Sequence, residues 1–485
     1  MANRCPSCGG TLRFDINKQK LVCEYCLSEF DASNMPQMGG ADESQAFDTE
    51  PAQEAEGGET MDAKIFTCPN CGAEVFATDL DAVEYCAYCG TFVTLESRLA
   101  KLQKPSYILP FTITKEKCLE LYKERLKSAR FLPKDMRAEN AESSFRRIYI
   151  PYWTYELEFD RDNLLSMNTH ESWTSGNKEY TQHYDIQARA EGRMDNILFD
   201  ASATLDDRIG EEIGNYPMDS MQPYNSSIMA GSYADIADVS KDTYEAEVYG
   251  RGKEVLSDKI RSDLSNNGGR GASGSSVRSV SSLSTFRTKQ DIKTIGKISS
   301  KLAMLPVWFM TWKNNNRLCY AVVNGSTGKM FTEIPSDIKK YTISSILLAV
   351  PIFLLLEMFF TFVPRTLLYA TGILALIILI CFWNVSNKLK RQENRMDDKG
   401  YQKVFGSQNG ASTGSSFGKG AVLAIISLIV AAGMLYLKPV NDLIYYGGSF
   451  LCIAGAFVAI ASMVKAHNLA CSRPIPHFFD KKKEA

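Results

Sequence analysis

Four apolar runs dominate the last third of the chain. Ile343–Val363 is broken by Pro351 and Glu357, and Thr366–Val385, Ala421–Leu437 and Leu443–Val464 follow. Each approaches the ~20 residues a helix needs to cross about 30 Å of hydrocarbon. They predict two transmembrane hairpins, at 343–385 and 421–464. Upstream the periods differ. Leu119, Tyr122 and Leu126 recur on one face of a charged segment, predicting a helix from Lys115 to Ala129 that Pro133 ends. In Arg147–Phe159, Ile148, Ile150, Tyr152 and Thr154 alternate with Tyr149, Trp153 and Tyr155, the period of a strand. Met304–Trp312 repeats that aromatic strand chemistry and opens a hairpin: a turn at 314–316, a partner strand Arg317–Val323, and a turn from Asn324-Gly325 to Gly328. Both aromatic strands carry Pro-x-Trp, at Pro151 and at Pro306. Internal duplication is the favoured reading, with similar edge-strand chemistry as the other. A helix near Lys241–Leu264 and a mobile Gly/Ser-rich loop at 265–284 complete a mixed α/β, β-rich domain over 105–335.

The first hundred residues are patterned by cysteine instead. Cys5-Pro-Ser-Cys8 is followed after 14 residues by Cys23-Glu-Tyr-Cys26, and Cys68-Pro-Asn-Cys71 after 14 residues by Cys86-Ala-Tyr-Cys89. CxxC-x14-CxxC is the spacing of a tetrahedral structural zinc site, so two Zn²⁺ per chain are expected, held by those eight thiolates. Units this short cannot bury a self-sufficient core, so metal binding would supply their folding energy. A disulfide framework suits secreted chains, and no signal peptide is read here; a redox CxxC does not recur four times in pairs. The ribbons occupy 1–30 and 64–104. Between them, 31–63 carries nine acids and no Lys or Arg. That composition predicts a disordered linker and ribbons strung as separate beads, with a multivalent tether and a plain spacer as equal readings. The remaining cysteines, Cys118, Cys319, Cys381, Cys452 and Cys471, are scattered.

Charge sets orientation. Seven Lys and Arg lie in the loop at 386–420, whereas the turns inside the two hairpins hold only Arg365 and Lys438. Lys481 to Lys483 lie in the tail at 465–485. The positive-inside rule places the loop and both termini in the cytoplasm. Within the fourth run, Gly448, Cys452 and Ala456, with Gly455 and Ala459, form a small-residue stripe read as helix packing. Glu357 is an intramembrane acid of unassigned role. The formal net charge of −2 gives nucleic acid no overall attraction. No phosphate-binding loop or HExxH is present, and the chain is expected not to be an enzyme.

These residues resemble a known family. CPSCGG with CEYC, CPNCG with CAYCG, LPFTITKEKC, IYIPYWTYE, and LPVWFMTWK followed by NGSTGK resemble bacterial (Firmicutes) TFIIB-type zinc-ribbon membrane proteins. Some of those resemble anchors for SPFH or virion-core-like and phage-shock-protein-A-like proteins in membrane-stress complexes. The ribbons also resemble the zinc region of the primosomal replication-restart helicase, whose nucleotide-binding loop this chain lacks. The resemblance implies a membrane-anchored adaptor with protein partners. The alternative is a membrane-tethered binder of nucleic acid or of transcription and replication machinery.

Overall fold

The computed structural model describes residues 4–481 except 36–58, 78–85, 92–95, 134–135, 137–144, 160–163, 190, 268, 271–275, 278–295, 315–316, 360–362, 407–413, 439–440 and 480. The acidic 36–58 stretch and most of the Gly/Ser-rich loop therefore lie outside the described residues.

The chain begins with a small antiparallel sheet, β1 (Leu12–Asp15), β2 (Lys20–Cys23) and β3 (Glu29–Phe30). Next come β4 (Thr60–Thr67), β5 (Glu74–Ala77), β6 (Glu96–Gln103) and β7 (Tyr107–Ile108). Helix α1 is Lys115–Lys127, capped by the Thr114 hydroxyl. Strand β8 (Arg146–Phe159) leads into a long arm, β9 (Leu164–Ser175) with β10 (Lys178–Arg189), which returns as β11 (Gly192–Asp200). Helix α2 (Asp207–Ile213), β12 (Gln222–Pro223), β13 (Tyr233–Asp235) and α3 (Glu245–Asn267) follow. A short pair, β14 (Gly269–Arg270) and β15 (Ser276–Val277), precedes β16 (Gly296–Asn314), β17 (Arg317–Asn324) and β18 (Met330–Thr332). Eleven strands form one sheet centred on the antiparallel pair β8–β16.

That pair is buried on both faces, because both alternating sets of side chains are apolar or aromatic. On one face Tyr149, Met304 and Trp308 join Leu12, Phe14 and Leu21 of the first cysteine unit and Tyr122 of α1. On the other, Ile148, Ile150, Leu305 and Phe309 join Cys68, Cys71 and Tyr88 of the second unit and Ile209 and Ile213 of α2. The two cysteine units are thus not separate beads. The first is tied down where Ala230 O accepts from Phe14 N–H and Phe14 O from Arg147, and the second contributes β4–β6 to the main sheet itself. Their apolar residues have too little partner surface within each unit and take it from the sheet. The linker as expected also overlaps structure at its ends: a short helical turn spans Ala32–Asn34, and β4 starts at Thr60.

The Pro-x-Trp strands are two halves of one plan. β7 lies parallel to β16, pairing Ile108 with Met304; β13 lies parallel to β8, pairing Ala234 with Tyr149. Four residues beyond each long-strand partner stands a tryptophan, and each indole donates 2.8 Å to a carbonyl five residues beyond the paired short-strand residue: Trp308 to Ile113, Trp153 to Val239. Helical caps follow at matching positions, Thr114 and Ser240. Ile150 pairs with Leu305 at the pseudo-twofold point of the register. This arrangement favours duplication over coincident edge chemistry.

Four long helices complete the chain: α4 (Ile338–Phe359), α5 (Pro364–Glu393), then, after the short α6 (Lys399–Phe405), α7 (Gly414–Leu437) and α8 (Asp442–Ala470). Among the described residues three segments are long and apolar enough to cross a membrane: Arg365–Glu393, Gly420–Leu437 and Leu443–Ala470. Ile373, Ile429, Phe450 and Leu451 are all exposed, as lipid-facing residues are. The chain is a membrane-integral protein. The first apolar run forms α4, with Pro351 inside it, and the side chain of Glu357 lies outside the described residues. The small-residue stripe of α8 packs on α7: Cys452, Ala456 and Ala459 are buried, and a Cβ on Gly455 would meet Ser427 Oγ at 2.2 Å.

Candidate metal centres

Each cluster is assembled from two identical backbone turns. In all four, the N–H of the first cysteine donates to the carbonyl five residues on: Cys5 to Gly10, Cys23 to Ser28, Cys68 to Ala73, Cys86 to Thr91. The residue after the second cysteine returns its N–H to the first cysteine's carbonyl, at 2.7–3.0 Å. This closure requires positive φ at that residue. Gly9, Gly72 and Gly90 supply it at 75°, 76° and 65°, and Leu27 adopts 60° in the fourth turn.

The turns bring Cys5, Cys8, Cys23 and Cys26 together, and likewise Cys68, Cys71, Cys86 and Cys89, with all sulfurs of each set within 4.8 Å. In the first set the Cys5–Cys26 and Cys8–Cys23 sulfurs are 3.5 and 3.4 Å apart. In the second, Cys68–Cys89 and Cys71–Cys86 are both 3.7 Å. A disulfide needs about 2.05 Å. The edge of a tetrahedron with metal–sulfur bonds of ~2.3 Å is about 3.8 Å, so a four-thiolate ion fits both sets. Backbone N–H groups of Ser7 and Gly10 point at Cys5 and Cys8 sulfurs at 3.4 Å, the support expected for thiolate ligands. Four protein ligands leave no open position for chemistry at the ion.

The two centres differ in surroundings. All four sulfur residues of the second are buried, whereas Cys8 and Cys26 of the first are exposed. On the first, Tyr25 and Leu27 stand 78% and 73% exposed at the tip of a turn. The second is covered by the segment after α8, which carries no metal-ligand motif. Beyond α8 the chain crosses β17, where Leu318 and Arg473 exchange backbone hydrogen bonds, and Phe478 N–H donates 2.6 Å to Cys71 O. Phe478 packs on Tyr88, Tyr401 and Phe405. A Cβ on Gly72 would lie 2.8 Å from Phe479 N, so glycine is needed for both backbone and space. Arg473 bridges Glu333 at 3.0 Å and Asp206, with Arg208 a further 3.3 Å from Glu333. Burial pushes Asp206 up, but the charges of Arg473, Arg395 and Arg208, with the Arg208 N–H, together outweigh it and hold the carboxyl below its usual range. Lys481 reaches Glu74 at 2.6 Å and Asp238 at 3.5 Å. Besides its basic residues, the sequence sign of this tail is its apolar content, Ile475, Phe478 and Phe479, after a membrane helix.

A buried carboxyl adjoins the second centre. Tyr88, between Cys86 and Cys89, donates 2.6 Å to Asp235 Oδ2, and Ser202 donates to the same oxygen. Burial pushes Asp235 up to about 7, against those hydrogen bonds. Sequence reading missed Asp235 because its partners are brought together only by the sheet.

No family model matches the chain, and no solved structure matches it. It is similar to the uncharacterized protein YdjG of Bacillus subtilis (strain 168), at 22% identity over 341 residues, covering 68% of this chain and 89% of that protein. The fold and site define a class: a membrane-integral protein carrying two tetracysteine centres that could each hold a metal ion.

Proposed function

We propose that this protein is a membrane-anchored zinc-ribbon adaptor of the bacterial inner membrane, binding protein partners at the cytoplasmic face. Zinc is the ion that four thiolates with CxxC spacing favour in a reducing compartment. In this reading α4 is a fourth span, and the positive-inside charges put both termini, both ribbons and the sheet in the cytoplasm. The protein performs no catalysis; its partners are SPFH or virion-core-like and phage-shock-protein-A-like proteins, in a membrane-stress or membrane-maintenance complex.

The observation that carries the reading is the contrast between the centres. The second is enclosed between sheet and tail and serves the fold. The first presents Tyr25 and Leu27 to solvent on a rigid turn. A bulky apolar side chain held at positive φ costs about 1–2 kcal/mol relative to the glycine used in the other three turns. Acceptance of that cost fits a docking tip. The test is a pull-down of the full chain from detergent, beside a Tyr25→Ser/Leu27→Ser variant that retains its metal. SPFH-like or phage-shock-like proteins should be recovered with the wild type and lost with the variant. Recovery of polymerase or replisome subunits alone would favour the nucleic-acid-machinery alternative.

A further inference from the structure

A cavity of about 330 Å³ lies where α5 leaves the apolar region and meets the sheet domain at the start of α2. Its wall is basic from three separate elements: Lys388 and Arg391 on α5, Arg395 in the turn beyond it, and Arg208 on α2. Three carboxylates share that wall, each facing an arginine. Asp206 is bridged by Arg473, Asp398 lies 3.6 Å from Arg395, and Asp397 lies 4.0 Å from Arg391. Lys388 makes no ion pair with the described residues. Three side-chain amides add neutral donors: Asn384, Asn387, and Gln392, whose Nε2 and Oε1 are both shielded from water with no hydrogen-bond partner. An amide left in that state costs about 1–3 kcal/mol unless something occupies the cavity.

The position is as informative as the lining. Arg365–Glu393 spans 29 residues, about 44 Å as a helix, against ~30 Å of hydrocarbon, so its last turns stand in the headgroup layer. Trp383, 71% exposed, sits one residue before the polar stretch begins, where interfacial tryptophans sit. Arg395 is aimed back at this level by a positive φ of 45° and held over the rings of Tyr401 at 4.3 Å and Phe478 at 5.4 Å.

We infer that this cavity binds a phosphate-bearing anion, the headgroup of an anionic phospholipid being the source its depth in the bilayer favours. Lys388 supplies the uncommitted charge-assisted donor, Arg391 and Arg208 add positive charge while shared with Asp397 and Glu333, and Gln392 gives the directed amide. The inference rests on the membrane insertion of α5 and not on the adaptor reading, so loss of partner binding would leave it untouched.

The test uses the full chain in a neutral detergent, with melting followed as a function of added ligand. Dioctanoyl phosphatidylglycerol should raise the melting temperature by several degrees, and dioctanoyl phosphatidylcholine should not. Inorganic phosphate separates the sources: midpoint concentrations at least tenfold above that of the lipid mean a headgroup site, and equal midpoints mean a free-phosphate site. Lys388→Gln should weaken binding about tenfold or more, Lys388→Arg should restore it, and Lys123→Gln on α1 should change nothing. Unliganded melting temperature and metal content report whether each variant is folded. No response to either anion, or a folded Lys388→Gln that binds like wild type, overturns the inference.

Discussion

At the residue scale, the four cysteine turns act as an internal control on backbone strain. Three place glycine at the left-handed position, and the fourth places Leu27 there at φ 60°. Because Leu27 is 73% exposed, glycine would lose little buried surface and would relieve the crowding of Cβ. Leu27→Gly is therefore expected to stabilise the first unit by ~1 kcal/mol, read as a higher chelator concentration needed to release its ion, while weakening partner capture. Gly72→Ala should do the reverse at the second centre. It combines positive φ with a contact of 2.8 Å to the tail backbone, for a cost of about 2–4 kcal/mol. Asp235 gives a pH signature of its own. Its folded pKa, pushed up to about 7, lies above the ~3.9 of an unfolded aspartate. The folded state thus holds the extra proton between those values, so its contribution is full below about pH 4 and is lost as pH rises towards 7. Melting at pH 5 and pH 8 should show a larger fall for wild type than for Asp235→Asn; equal falls would mean that the buried carboxyl is not the titrating group.

At the element scale, what was legible in the sequence was whatever local chemistry specifies. The turns around Cys5, Cys23, Cys68 and Cys86 follow from CxxC spacing, α1 from its period and Thr114 cap, and the long helices from their apolar runs. Strand β8 was placed within one residue, whereas β16 begins at Gly296, eight residues before the Met304 expected. Its start, Gly296 to Leu302, is polar in alternation and is held by pairing with β8, a non-local cause that the pattern does not carry. The β9–β10 arm was unread for the same reason: its strands are rich in Thr, Ser, Asn and Glu, and the stacked Trp173–Tyr180 pair near its tip comes from cross-strand register. Helix α5 runs on to Glu393 because the Lys and Arg residues after Val385 favour helix. The α7–α8 seam makes a prediction at this scale. Gly455→Leu would drive a side chain into Ser427 and the adjoining α7 backbone, and should cost about 1–3 kcal/mol in detergent melts, whereas the same change at Gly447, where a Cβ meets nothing within 4 Å, should be near neutral.

At the scale of the whole molecule, the second metal centre is also the joint between membrane and sheet. The tail leaving α8 pairs with β17, buries Arg473 between Glu333 and Asp206, and ends its described course against Cys71 and Glu74. Arg317 of β17 reinforces the joint, reaching Glu393 at the end of α5 at 3.1 Å and Ser472 Oγ at 2.8 Å. An ion held in that centre and the helical bundle would therefore stabilise each other through Phe478, while among the described residues no hydrogen bond, ion pair or ring contact joins the first centre to the tail. Metal release should then occur in two phases. Cys8 and Cys26 are exposed, so a chelator reaches the first ion without global opening. The second ion is reached only after the tail lifts, a local unfolding that must break the Phe478–Cys71 hydrogen bond and the aromatic contacts around it. Phe478→Ala removes those contacts and opens a cavity worth about 3–5 kcal/mol if none of it relaxes. Followed with a colorimetric chelator on the full chain, it should accelerate the slow phase by at least an order of magnitude and leave the fast phase as it was. A single phase in wild type, or equal acceleration of both phases in Phe478→Ala, would show that the two centres are not separately coupled, and that the tail does not lock the second one to the membrane helices.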